Sequence, residues 1–543
     1  MPESTPIRRA LLSVSDKTGL ADFAAALIRH GIQIISTGGT ARALHEAGLP
    51  VTPVERITGC AEIMDGRVKT LHPAIHAAIL ADRSNPDHMS QIAELGIEPI
   101  DLVCVNLYPF VATIARAGVS DAEAIEQIDI GGPCMIRAAA KNHASVTVIT
   151  SASRYAPVVD ELDHFGGRTS AKLRASLAAE AFALTSAYDA AIAGYLGRHG
   201  PDLPERVLLG GGKVRELRYG ENPHQPAALY ANDLHRGPSV VGARQLGGKT
   251  LSYNNINDAS SALALAIDLT ALEAAGVGAC VIKHANPCGA AIADDAIRAV
   301  AGALAGDPLA AYGGILAIGA TLDAAAAEQI VGGGTFLEVV VAPRFDPEAE
   351  RLLTGRWKNV RLLAVGELDG AAGGGASRRD ALAIRVIEGG LLAQRVGPVT
   401  PTPDRWTHAA GPDPDPALLR AAGLLEVVGA ALMSNAVAIG GPVAQESDPG
   451  GHGSCRLFGA GAGQMDRVTA CRIAVDKAGP RARGSVAYSD AFFPFPDGPR
   501  VLIDSGVAMI VHPGGSRRDE ETFALCRERG VTCMTTGVRR FRH

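Results

Sequence analysis

RALLSVSDKTGLADFAAALIRHGIQIISTGGT, residues 9–40, carries the alternation that decides the fold. Arg9 to Val14 is a short β-like run, and Gly19 to His30 spaces its apolar residues as a helix does. Ile32 to Ser36 is a second apolar run, closed by TGGT (Thr37 to Thr40) and another helical stretch. Further runs at Leu102 to Leu107 and Val146 to Ile149 read as buried strands. Strands alternating with helices of about ten to fifteen residues imply an α/β class with a mostly parallel sheet. Ligands of such sheets bind at the carboxyl ends of the strands, where loops and helix N-termini gather.

Outward from that stretch, the helical pattern stops near Arg198, and GPDLPERVLLGGGK (Gly200 to Lys213) is rich in Gly and Pro. Residues 1–199 are therefore expected to form one domain, 200–213 a linker and 214–543 a second region. That region exceeds a typical domain, which predicts two subdomains split near residues 370–380, at GAAGGGASRR. GGPVAQESDPGGHGS (Gly440 to Ser454) reads as an exposed insertion.

The composition narrows the function. At 543 residues, 47% hydrophobic and 20% charged, the chain is an ordinary globular protein rather than a disordered one. Lys+Arg 51 against Asp+Glu 57 leaves a net charge of -6, which argues against bulk attraction to nucleic acid or an anionic membrane. Aromatics at 4% are too few for base-stacking platforms. The nine cysteines contain no C-x-x-C, so neither a disulfide framework nor a zinc ribbon is expected. The N-terminal apolar run is too short for a signal peptide, and no stretch approaches ~18 uninterrupted apolar residues. A reduced cytoplasmic location is the expectation.

Polar residues concentrate where loops should follow strands. SVSDKTG (Ser13 to Gly19) and TGGT offer hydroxyls, a lysine and helix N-termini, a combination suited to phosphate. Either loop alone is better read as a simple helix cap; two on successive strand ends shift the reading towards an anion site. GRVKTLHPAIHAAIL supplies Arg67, Lys69, Thr70, His72 and His76. The two histidines lie four apart but lack H-E-x-x-H, so capping or packing suits them better than zinc. NLYPF and IDIGGPCMIRAAAKNH add Tyr108, Asp129, Lys141, Asn142 and His143, types that can shuttle protons and stabilise an oxyanion.

The second region contributes LRYGENPHQ (217–225), LSYNNINDA (251–259), VIKHANPCG (281–289), MSNAVAI (433–439), GAGAGQMDRV (459–468), SDAFFPF (489–495) and a closing TGVRRFRH. Lys283-His284 puts a cation and a proton acceptor at a strand end. GARQLGGKT has Gly248 where a Walker A loop needs its lysine, and HANPCGAA lacks the Glu and second Cys of a zinc deaminase.

Taken in this order, SVSDKTG, DGRVKTLHP, NLYPF, IDIGG, AAAKNH, LRYGENPHQ, KHANPCG, GAGQMDRV and SDAFFPF resemble the bifunctional purine-biosynthesis family that joins AICAR transformylase to IMP cyclohydrolase. The resemblance runs from Ser13 to the C-terminus. It implies a methylglyoxal-synthase-like doubly wound domain, then two cytidine-deaminase-like α/β subdomains without zinc. It implies formyl transfer from 10-formyltetrahydrofolate to AICAR, giving FAICAR and tetrahydrofolate, then closure of FAICAR to IMP with loss of water. No metal or redox cofactor, nucleic acid or membrane is expected to take part, and a homodimer is.

By the same resemblance His284 is the base for formyl transfer, Lys283 supports proton transfer, and Asn435 orients the substrate and helps bind the developing oxyanion. Arg218, Tyr219, Gly313, Glu338, Arg467, Arg539 and His543 match positions that hold the nucleotide. Val468, Phe492, Asp497, Ser516 and Arg517 match folate contacts. For ring closure Lys141 is the proton-transfer group, with Lys69, Tyr108 and Asp129 around the reaction. Ser13, Ser15, Lys17, Thr37, Gly38, Gly39, Thr40, Arg67, Thr70, Asn106 and Gly131 would hold phosphate and ribose.

Two residues depart from the family pattern: Tyr312 replaces a phenylalanine, and Met433 stands where a lysine commonly precedes Ser434-Asn435. The alternatives are a family member with one silent site and a nucleotide-binding regulator. The acid/base residues speak against a pure binder.

Overall fold

The computed structural model describes residues 4–61, 63–64, 68–116, 118–232, 235, 237–274, 276–368, 382–397, 399–443 and 453–543. They divide into two compact units, one of residues 1–212 with 232–234, the other of 213–231 with 235–543. The stretch 370–380, where a subdomain split was expected, lies outside the described residues, as does most of the 440–454 insertion.

The first unit is built on five parallel strands in the order Thr52–Pro53, Gln33–Ser36, Arg9–Val14, Leu102–Asn106 and Thr147–Ile149. Arg9–Val14 lies centrally, and its Ala10, Leu11 and Leu12 are wholly buried. Truncating either leucine to alanine costs ~2–5 kcal/mol, the usual range for a core cavity. The chain first winds to one side of this strand, through Gln33–Ser36, and later to the other, through Leu102–Asn106. The carboxyl end of Arg9–Val14 is therefore the switch point of the sheet, where a crevice forms. Helices Leu20–Arg29 and Tyr155–His164 cover one face, with the rings of Phe23 and Tyr155 stacked at 4.3 Å. On Ala171–Leu196 the wholly buried Arg174 donates to the carbonyls of His143, Ala144 and Thr169.

The second unit is organised by a twelve-stranded mixed sheet. Its order is Arg244–Gly247, Arg361–Ala364, Leu337–Ala342, Gly314–Ile318, Val277–Lys283, Asn286–Ala293, Ser454–Gly461, Val437–Val443, Val486–Ser489, Met509–His512, Thr532–Thr535 and Thr407–Ala410. Read from either edge, the chain performs the same sequence of moves. An edge strand leads into a helix (Tyr253–Thr270 or Pro416–Ala431) and then an antiparallel pair. A third strand joins that pair antiparallel, two more add in parallel, and the last pairs with the edge strand. The halves meet where Ala291 and Ile292 pair with Arg456 and Cys455.

Successive residues of each strand face opposite sides, as a period of two requires. Cys280 and Ile282 pack in one core beneath the helices Tyr253–Thr270 and Pro416–Ala431, whereas Ala279 and Val281 pack beneath Ala296–Leu304 and Ala324–Gly332. Among the described residues, no helix is long and apolar enough to cross a membrane.

Candidate functional site

The loops at the switch point of the first unit are locked at their bases. Ser13 Oγ and Thr37 Oγ1 share a hydrogen bond of 2.8 Å. Thr40 Oγ1 accepts from the Val14 N–H and donates to the Val14 carbonyl, each at 3.0 Å. Asn106 holds the SVSDKTG loop: its Oδ1 accepts from the N–H groups of Ser15 (2.5 Å) and Asp16 (3.1 Å), and its Nδ2 donates to the Asp16 carbonyl at 2.9 Å. Those N–H groups are committed to the protein. The loop offers a ligand the exposed side chains of Ser15 and Lys17 instead.

Two helix N-termini converge on the segment that carries Lys69 and Thr70. Helix Gly38–Glu46 begins at Thr37 without a side-chain cap, leaving its first turn open to an anion. Gly38 has φ +35, and a β-carbon there would stand 3.2 Å from Lys69 Nζ. Exposed Gly39 extends the same turn. At the start of helix Gly131–Lys141, a β-carbon on Gly131 would meet Thr70 Oγ1 at 2.5 Å, so glycine is what lets buried Thr70 approach.

Asp129 stands just ahead of that helix, and its Oδ1 accepts from the Gly132 N–H at 2.8 Å. Burial pushes the Asp129 carboxyl up from its ordinary value, opposed by hydrogen bonds from the Gly132 and Tyr108 backbone and by the Lys69 charge. Exposed Tyr108 completes the group. Arg67, expected beside Lys69, lies outside the described residues. His72 is a helix cap, its Nδ1 accepting from the Ala74 N–H at 3.2 Å.

Lys141 is not brought to this cradle. It occupies the last turn of the helix that starts at Gly131, about 15 Å away at ~1.5 Å per residue. There it is exposed and lines a cleft of ≈ 750 Å³ with His76, Arg137, His143 and Phe182.

In the second unit, Val277–Lys283 and Asn286–Ala293 are joined by a two-residue turn, His284-Ala285. Lys283 Nζ donates to the carbonyls of Tyr312 (2.9 Å) and Gly313 (3.1 Å). A β-carbon on Gly313, at φ +66, would stand 3.1 Å from that nitrogen. Tyr312 thus serves through its backbone, while its ring is exposed near Phe336. His284 is exposed beside Lys283, a proton acceptor next to a cation.

The MSN loop is tied to this turn. Met433 donates its N–H to Asn286 Oδ1 at 3.0 Å, and Arg542 Nη1 donates to the Ala285 carbonyl at 3.1 Å. Asn435 is held on every side: its Nδ2 donates to the carbonyls of Gln464 (2.9 Å) and Met465 (3.2 Å), and its Oδ1 accepts from Arg467 Nη2 at 2.7 Å. Buried Arg467 also donates to Ser489 Oγ and pairs with Asp490 at 2.5 Å. Asp490 Oδ2 in turn accepts from Ser434 Oγ at 2.6 Å and the Ala436 N–H at 3.1 Å. Asp490 and Arg542 lie within quoted motifs, yet only their distant partners reveal what they do.

The remaining expected residues are more open. Arg218 and Tyr219 follow the strand Lys213–Leu217, with the guanidinium 5.5 Å from the ring centre. The same loop accepts a 3.4 Å hydrogen bond from Asn254 at the Glu221 carbonyl. Glu338 is paired with Arg361. Arg539 lies over Phe541, whose ring neighbours His543. Half-buried Val468 follows Arg467, Phe492 is exposed, and Asp497 opens the helix Asp497–Asp504. Ser516 donates its N–H to Asp519 Oδ2 at 3.0 Å, and Arg517 follows it. Among the described residues, no group of three or more His, Cys, Asp or Glu is placed to hold a metal ion.

A family model described as the AICARFT/IMPCHase bienzyme matches residues 139–477, and one described as an MGS-like domain matches residues 19–134. Proteins called bifunctional purine biosynthesis protein PurH align end to end. That of Rhodopirellula baltica is 46% identical over 548 residues, covering 100% of each chain. That of Mesorhizobium japonicum is 44% identical, covering 100% of this chain and 98% of its own. That of Mycobacterium marinum is 45% identical, covering 99% and 98%.

Proposed function

The chain belongs to the AICARFT/IMPCHase bienzyme family, and on that premise we propose how its residues divide the chemistry. It is a bifunctional enzyme of purine biosynthesis, an AICAR formyltransferase and an IMP cyclohydrolase. Formyltransferase activity brings a folate co-substrate with it, which we take to be 10-formyltetrahydrofolate.

Formyl transfer is assigned to the second unit. The observation that carries this reading is the closure of the His284 turn onto the Met433–Asn435 loop through Asn286 and Arg542. The AICAR amine is conjugated to a carboxamide-bearing imidazole, so it is a weak nucleophile. His284 takes its proton as it attacks the formyl carbon, and Lys283 assists proton transfer to the departing folate nitrogen. Both N–H bonds of Asn435 are already taken, so its part is to shape the loop and offer its remaining oxygen lone pair. Arg218, Tyr219, Gly313, Glu338, Arg539 and His543 are assigned to the nucleotide, with Arg467 acting from the interior. Val468, Phe492, Asp497, Ser516 and Arg517 are assigned to the folate.

Ring closure is assigned to the first unit. FAICAR carries both nucleophile and electrophile, so holding it folded supplies much of the rate. Ser13, Ser15, Lys17, Thr37, Gly38, Gly39, Thr40, Arg67, Thr70, Asn106 and Gly131 are assigned to the phosphate and ribose. Lys69, Tyr108 and Asp129 flank the closing bond: Asp129 as the half-buried base, Lys69 and Tyr108 as donors to the tetrahedral oxyanion. Lys141 keeps the proton-transfer role that the resemblance gives it.

We further propose that the unit boundary at residues 212–213 is the domain boundary. The two halves of the large sheet would be cytidine-deaminase-like subdomains, and the enzyme a cytoplasmic homodimer. The test mixes the purified chain with AICAR and 10-formyltetrahydrofolate and follows tetrahydrofolate and IMP together. Matched appearance of both supports two working sites. Tetrahydrofolate with accumulating FAICAR would mean a silent first unit, and neither product would overturn the assignment.

A further inference from the structure

The turn that presents His284 is built against the preference of its own residues. His284 and Ala285 both lie at positive φ, 51 and 57. A two-residue hairpin turn with both central residues in that region normally takes Asn-Gly, because a β-carbon is disfavoured there. His-Ala has two β-carbons, so an outside group must hold the conformation.

Asp258 is placed to do so. It sits on the helix Tyr253–Thr270, within the LSYNNINDA stretch. Its two carboxylate oxygens are divided between consecutive N–H groups: Oδ2 accepts from His284 at 3.1 Å and Oδ1 from Ala285 at 2.8 Å. The two carbonyls of the turn are held separately, that of His284 by Asn286 Nδ2 at 3.0 Å and that of Ala285 by Arg542 Nη1 at 3.1 Å. All four polar backbone atoms are therefore engaged, and among the described residues only Asp258 reaches both N–H groups.

We infer that Asp258 is a positioning residue for His284: its carboxylate pins the left-handed turn so that the imidazole stands beside Lys283. This rests on the reading of His284 as the base for formyl transfer. Lys283 needs no help from Asp258, since the Tyr312 and Gly313 carbonyls already hold its ammonium.

The test uses the full-length chain with D258N, D258A, H284A and the double variant D258A/A285G, each assayed for formyl transfer and for cyclisation of added FAICAR. Asn keeps the shape of Asp but sets an NH2 group against one N–H, so D258N should lose about 10²-fold in kcat, the scale of a ~1 Å misplacement. The KM for AICAR should hold, and cyclisation should be untouched. Glycine adopts positive φ without penalty, so A285G should recover part of the activity that D258A loses. A merely structural carboxylate would not show this rescue.

H284A separates the two ideas. If H284A abolishes formyl transfer while D258N keeps wild-type kcat, the positioning role is wrong and the base assignment survives. The positioning role also falls if D258N acts only through the KM for AICAR, or if A285G restores nothing. If H284A retains formyl transfer, the base assignment falls and takes this inference with it.

Discussion

Arg467 Nη2 donates to Asn435 Oδ1 at 2.7 Å while the same guanidinium is paired with Asp490, a carboxylate with no exposed surface. The loop that faces the His284 turn is thus stiffened from the interior by a charge pair. Arg467→Met removes the cation and leaves Asp490 buried with only its Ser434 and Ala436 partners. Losing one partner of a buried pair costs ~3–5 kcal/mol. The denaturant midpoint read by circular dichroism should fall accordingly, and cyclisation of FAICAR should persist in the same preparation. Unchanged stability would mean that the pair contributes nothing net.

Gly38 offers a different kind of test. Its φ of +35 disfavours any β-carbon, and that carbon would crowd Lys69 Nζ at 3.2 Å. Gly38→Val should weaken FAICAR binding about tenfold, equivalent to ~1.4 kcal/mol, while tetrahydrofolate release from AICAR stays at the wild-type rate. A fall in both activities would place Gly38 outside the cradle.

The raised Asp129 pKa predicts the direction of a pH profile. Burial favours the protonated carboxyl, so the base form is lost as pH falls through a value above the ordinary 3.8. The acid limb of kcat for cyclisation should therefore lie above the ordinary aspartate value. Lys69→Met removes a cation that favours the anion, so the Asp129 carboxyl of that variant, followed by NMR titration rather than by turnover, should titrate higher still. A downward move would contradict the Lys69–Asp129 coupling. The linked stability has the same sign: above its raised pKa the ionised carboxyl costs stability, and the cost disappears as pH falls below it.

How far the sequence could be read follows from how local each signal is. Arg9–Val14, Gln33–Ser36 and the TGGT turn were legible because period and turn chemistry act within a few residues. His72 as a cap was legible for the same reason. Asp258 was not, because its partners are N–H groups on residues 26 and 27 positions later. For Asn435 the resemblance implies a group that orients the substrate and helps bind the oxyanion, and nothing near it in sequence announces that the Gln464 and Met465 carbonyls consume its N–H groups. That the large sheet has two matching halves shows in no repeat of the residues, and only the resemblance, through its two like subdomains, implies it. Their likeness lies in strand order, and the seam pairs Ala291 with Arg456, far apart in the chain.

Lys141 yields the most demanding prediction. Helix Gly131–Lys141 runs from the carboxyl edge of the parallel sheet, where Thr70 and Asp129 gather, towards the edge at which the next strand, Thr147–Ile149, begins. Its last residue is therefore about 15 Å from the cradle of its own chain. If Lys141 transfers the proton in ring closure with its helix placed as it is here, a second copy has to deliver it. K141A and K69M should each abolish cyclisation alone while retaining formyl transfer. Co-expressed in one cell, the two variants should form mixed dimers in which the intact Lys69 of one chain meets the intact Lys141 of the other, and cyclisation should return. Should K141A cyclise FAICAR at the wild-type rate, Lys141 has no catalytic part. Should the mixture stay inactive while both single variants are inactive and folded, each chain uses its own lysine, and the helix must be placed differently when FAICAR is bound.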